Sequence, residues 1–154
     1  GYTYTANFDI NAPIHEVKEH SLSNLNRQWE FSKGLLPNLS TYQIHSATFK
    51  TKVLENEEVL NRLMDLKMEH QLKIGITVSG DNQVDILKKA LDVEVNGAEL
   101  FETFQITYNV FDQSLATMTR SLLMPPLHTN IRFMELTPPA SKVTSTGTKP
   151  AKRV

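Results

Sequence analysis

The sequence predicts an α+β fold, a mainly antiparallel sheet of five to seven strands with two or three helices packed on it. Three observations lead there. Residues 66–78 alternate, with Leu66, Met68, His70, Leu72, Ile74, Ile76 and Val78 on one side and Lys67, Glu69, Gln71, Lys73 and Thr77 on the other. A period of two with one wet face is the pattern of an antiparallel strand. Asn96-Gly97, between Val93-Glu94-Val95 and a second apolar run, is a strong hairpin signal. Ile14, Val17, Leu22, Leu25 and Trp29 recur at helical spacing.

Taken in order, Tyr2, Tyr4, Ala6, Phe8 and Ile10 alternate with polar residues and predict a first strand. Asn11-Ala12-Pro13 predicts a helix start, because Asn caps exposed amides and Pro is tolerated in the first turn. Gly34 and Pro37 close that helix. A second strand is expected over 42–54. Asn56 caps a short helix with Glu57 and Glu58 at the positive end of its dipole and Val59, Leu60, Leu63 and Met64 as its stripe. After the strand over 66–78, Ser79-Gly80-Asp81 reads as turn and cap of a helix using Val84, Leu87 and Leu91. The strand returning from Asn96-Gly97 carries Leu100, Phe104, Ile106, Tyr108 and Val110 on one face. A further strand spans 115–123, Pro125-Pro126 breaks it, and 131–136 is the remaining candidate for an edge strand.

Hydrophobic residues make up 40% of the 154 and charged ones 21%, which suits a folded domain and excludes a disordered one. The domain is expected over 1–136, with a flexible basic tail over 137–154. No apolar run approaches the roughly 18 residues of a membrane-spanning helix. Zero Cys excludes disulfides and thiolate metal sites and points to a reducing, intracellular compartment. The tail holds Lys142, Lys149, Lys152 and Arg153 and no acid. The rest therefore has 12 of the 16 basic residues against all 17 acidic ones, a net of −5. An acidic body with a basic tail speaks about partners: those four cations are candidate contacts to phosphates, on RNA or on an anionic membrane surface.

Catalytic signatures are missing. His15-Glu16-Val17-Lys18-Glu19-His20 resembles a zinc-protease helix, but its two His are five apart, roughly 140° around a helix rather than on one face. A solvated face is the better reading, with weak pH sensitivity through the His. His70, on the apolar side of the expected strand, reads as a buried, hydrogen-bonded core residue. No Ser occupies a nucleophile elbow, and the six Gly form no phosphate-cradling loop. No enzyme, cofactor or metal site is expected. The aromatics read as core, and Lys50, Lys52, Lys88 and Lys89 as small solvated basic spots. Leu122, Leu123, Met124, Pro125 and Pro126 form an apolar run ending in a rigid double Pro. It reads either as a buried strand end or as an exposed docking segment.

Trp29-Glu30-Phe31-Ser32-Lys33-Gly34 after the first helix, then Tyr42-Gln43-Ile44, resembles the rhabdovirus matrix protein domain. Lys88-Lys89, the turn at Gly97 and the stretch from Phe104 through Asp112 to Leu115 are similar to that family's later strand and acidic turn. The resemblance covers about residues 2–123 and lies in element order, spacing and residue class. It implies a non-enzymatic viral structural protein that self-associates, condenses the nucleocapsid, binds the inner membrane leaflet and drives budding. The family's basic N-terminal arm with a proline-tyrosine motif has no counterpart here, since Pro125-Pro126-Leu127-His128 lacks the Tyr. Two rivals remain. One is a ligand-binding domain with an apolar pocket lined by the even-numbered face of 66–78. The other is a nucleic-acid-binding module acting through the tail.

Overall fold

The computed structural model describes residues 2–4, 11, 13–14 and 16–107. A short strand β1 (Tyr2–Tyr4) pairs antiparallel with β2 (Glu16–Lys18), Thr3 opposite Val17. Helix α1 (Leu22–Ser32) follows, with Ser21 as its cap: the Ser21 Oγ accepts from the Asn24 amide at 3.3 Å. The helix expected from Asn11-Ala12-Pro13 therefore begins about ten residues later. Val17, which shares its spacing, lies in β2.

The main sheet differs from the expectation. It consists of three parallel strands in the order β3 (Thr41–Ile44), β4 (Lys73–Val78), β7 (Phe101–Ile106). Helix α2 (Glu57–His70) lies in the first connection and α3 (Gln83–Leu91) in the second, as parallel neighbours require a crossover. The antiparallel elements are the β1–β2 pair and a two-residue hairpin, β5 (Glu94–Val95) with β6 (Ala98–Glu99). The α+β character holds, but a large antiparallel sheet of five to seven strands does not form among the described residues.

The reason lies in residues 66–78, which divide between helix and strand. Between Leu60 and Leu72 there is no β-branched side chain, whereas Ile74, Ile76, Thr77 and Val78 follow directly. Leu, Met, Lys, Glu and Arg, unbranched at Cβ, favour helix, and β-branched residues favour strand. Leu63, Met64 and Leu66 continue the helical stripe into the core, while Met68, on the supposed apolar side of a strand, is 74% exposed. Gln71 stops α2 in the left-handed region (φ 55°), its amide donating to the Lys67 carbonyl. β4 then buries every residue after Lys73, on both faces, which is the signature of a parallel strand.

The strand expected over 42–54 is only β3. Beyond it Ser46 takes φ 56°, and the chain turns through two 3₁₀ segments, Phe49–Thr51 and Val53–Glu55. That turn is anchored to β4, where the Thr77 hydroxyl accepts from the Ser46 amide at 2.6 Å and the Thr77 carbonyl from the Ala47 amide. Two local readings survive intact. Asn56 caps α2, its Oδ1 accepting from the Val59 amide at 3.2 Å. Asn96 and Gly97, with φ 53° and 77°, make the tight hairpin turn.

The rows Ile44–Ile76–Phe104 and Val78–Ile106 form one face of the sheet and pack with Leu63, Ile86 and Leu87 into the core. On the opposite face Gln43, Gly75 and Thr103 lie side by side. A Cβ on Gly75 would meet the Thr103 Oγ1 at 2.2 Å and the Gln43 Cβ at 3.0 Å, so a larger residue there forces its neighbours to shift. Gln43 donates to the Gln105 side chain across that position. The expected strands over 115–123 and 131–136, the boundary at 136/137 and the tail lie outside the described residues.

Candidate functional site

A cleft of about 770 Å³ opens between the β2–α1 junction and the 3₁₀ segment after β3, with Lys18, Glu19, His20, Thr48 and Lys50 among its walls. Behind it a cavity of about 30 Å³, roughly the room of one water, is lined chiefly by Leu25, Tyr42, Ile44, Val53 and Leu63. His20 borders both. Its Nε2 lies 3.0 Å from the His45 carbonyl oxygen. A carbonyl only accepts, so Nε2 carries the hydrogen and Nδ1 presents a lone pair. That Nδ1 is buried and has no hydrogen-bond partner. Burial holds the ring's pKa below the ordinary 6.5, with Lys18 acting in the same direction and the His45 carbonyl and Glu19 opposing it.

Each wall is built by local capping. The Glu19 carboxylate accepts from the Ser21 amide at 3.1 Å, and hydrogen bonding from Ser21 holds its pKa below the usual carboxylate value. The Asn24 side chain donates back to the Glu19 carbonyl at 2.8 Å, tying the strand exit to the first turn of α1. Thr48 and Thr51 satisfy one another across their own turn. With its Nε2 spent on a carbonyl and its Nδ1 unpaired, His20 is not arranged as the base of a hydroxyl relay. Among the described residues no group of three His, Asp or Glu could hold a metal ion.

The residues singled out in the sequence fall in scattered places. Glu16–Lys18 is a strand, so the solvated helix face expected there does not form, and His15 lies outside the described residues. His70 is not a core residue of a strand. It ends α2, half-buried, its ring tilted at 5.1 Å from that of Trp29, while Trp29 meets Tyr42 edge-on at 5.3 Å. Trp29, Phe101 and Phe104 are core aromatics as expected, whereas Phe31 and Phe49 are exposed. Lys88 and Lys89 occupy the last turn of α3, paired with Asp85 and Glu55. On the even-numbered face of 66–78, Leu66, Leu72, Ile74, Ile76 and Val78 belong to the buried core, while Met68 is exposed. The tail cations Lys142, Lys149, Lys152 and Arg153 and the segment Leu122, Leu123, Met124, Pro125 and Pro126 lie outside the described residues.

No family model, curated protein or solved structure matches the chain.

Two structural residues escape a sequence reading. Gln83, fully buried, clamps the end of β7: its Oε1 accepts from the Thr107 amide and its Nε2 donates to the Thr107 carbonyl, both at 3.1 Å. Only the absence of an apolar residue at the first position of α3 marks it beforehand. His20 leaves no periodic signal, because its partner is a main-chain carbonyl 25 residues away.

Proposed function

We propose that this chain is a non-enzymatic, self-associating structural protein of viral matrix type, linking a nucleocapsid and a membrane surface during assembly and budding. The observation that carries the reading is the apolar surface before β3. Phe31 is 78% exposed and Leu35 60%, four residues apart across the end of α1. Large apolar side chains held out in water are candidates for burial against another protein. A second copy of the chain is the occupant proposed here. The segments that resemble the rhabdovirus matrix protein fall on the end of α1, on β3, on α3 and on β7 up to Thr107.

Charge supports the same reading. A body of net −5 with four cations in its tail favours head-to-tail attraction between copies and attraction of the tail to nucleocapsid RNA or anionic lipid. The working places that follow are the virion, the host cytoplasm and the inner membrane face. Sedimentation velocity over a concentration series tests the proposal. The sedimentation coefficient is expected to rise with concentration, the part carried by the tail weakening steeply with added salt. A chain that stays monomeric at every concentration would remove the basis of the proposal.

A further inference from the structure

The geometry points to His20 as an acid-released latch: neutral, its ring ties the β2–α1 junction to the chain leaving β3, and protonated, it lets that junction go. The inference does not depend on the assembly reading.

The tie is the hydrogen bond from Nε2–H of His20 to the carbonyl of His45. In the neutral ring the buried Nδ1 is a bare lone pair, and leaving an imidazole acceptor unpaired is tolerable. A proton on Nδ1 changes both its role and its charge. It becomes a buried cationic donor with no acceptor, the costly case for a polar group. The small cavity beside the ring gives little relief, because Leu25, Ile44, Val53 and Leu63 dominate its walls. The ring is solvated best by swinging outward into the open cleft, and that movement breaks the bond to His45.

The charged and titratable groups around the ring act in both directions. Lys18 on its own segment and Lys50 across the cleft oppose a positive charge on the ring. Glu19 favours one, but its carboxylate is held by the Ser21 amide at the start of α1. From the β3 side His45 offers its carbonyl to Nε2, which either form of the ring satisfies. Tyr42, lining the small cavity, is half-buried and its phenol is pushed up by that burial, so it stays neutral. The balance leaves the His20 ring harder to protonate in the folded chain than in the unfolded one.

A folded pKa below the unfolded 6.5 means that the latch contributes fully above about pH 6.5 and that its contribution is lost as the pH falls from there towards the lower folded value. The consequence is local. Among the described residues before β3 the buried side chains are Asn24 and Trp29, and Leu22 and Leu25 pack only partly buried against the core, so the opening is expected around residues 16–25.

Hydrogen exchange of the full chain, corrected for the intrinsic pH dependence of exchange, tests this at about pH 7.5 and pH 5. Protection in residues 16–25 and 44–47 is expected to fall by roughly tenfold on acidification while β4 keeps its protection. His20→Gln retains an amide donor within reach of the His45 carbonyl and does not titrate, so its protection should be the same at both values. Three results would overturn the latch: no local loss in the parent chain, a loss as large in His20→Gln, or a uniform loss that includes β4. If His20→Gln does not fold, nitrogen NMR of the parent ring decides. An Nε2–H tautomer titrating below 6.5 together with the local opening supports the latch, and a ring titrating at or above 6.5 overturns it.

Discussion

The chain from β3 onward and the stretch before it treat their apolar side chains in opposite ways. Among the described residues, 20 of the 21 buried hydrophobic side chains lie between Ile44 and Ile106, and Trp29 is the exception. Of six large hydrophobics left exposed, four, Ile14, Val17, Phe31 and Leu35, lie before β3. The parallel unit closes its own core between sheet and helices. The stretch before it is attached through Trp29 on Tyr42 and His70, through His20 on the His45 carbonyl and through a 3.3 Å bond from Arg62 to Asn26. Among the described residues, one region buries most of its apolar side chains, and the other leaves apolar surface exposed. Stability is therefore assigned to the first and contact with other copies to the second.

Breaking the complete region should cost most. Phe104, 1% exposed on β7 beside Ile76, should destabilise the whole protein by about 3–5 kcal/mol as Phe104→Ala, read from the midpoint of urea unfolding. Trp29→Ala removes a comparable side chain, yet its effect should be mainly regional. Exchange protection should fall across α1 while β4 and β7 remain protected, with a global cost of roughly 2–3 kcal/mol. A global collapse equal to that of Phe104→Ala would mean that the two regions share one core. Gly75→Ala sharpens the contrast on the other sheet face. Its new Cβ meets Thr103 and Gln43, and crowding of this kind typically costs about 1–3 kcal/mol, expected here as a lowered melting temperature.

How much of this was legible depends on the range of the interaction. The Asn56 cap and the Asn96-Gly97 turn need only their neighbours and were read correctly. Leu22, Leu25 and Trp29 carried α1 because its inward face repeats along the helix, though the start was placed ten residues early by Asn11-Ala12-Pro13. The stretch 66–78 misled because an amphipathic helix and a strand can share apolar positions over two turns. The missing β-branched residues before Leu72 were the signal that separates them. Parallel pairing was hidden for a different reason: it depends on which strands the crossovers bring together, and no local pattern records that. Most of the site was illegible on the same ground. His20 looked like half of a failed metal motif, and its role comes from His45, reached only after the helix and β3 are in place.

The smallest effect on stability should come with the largest on behaviour. Phe31→Asp with Leu35→Asp alters two side chains already in water, so unfolding should move by no more than about 0.5 kcal/mol. Sedimentation velocity of this variant beside the parent chain, over one concentration series at fixed salt, tests the proposed division most directly. The parent coefficient should climb with concentration, and the variant's should stay near the monomer value. Equal association by both, or none by either, would contradict that division.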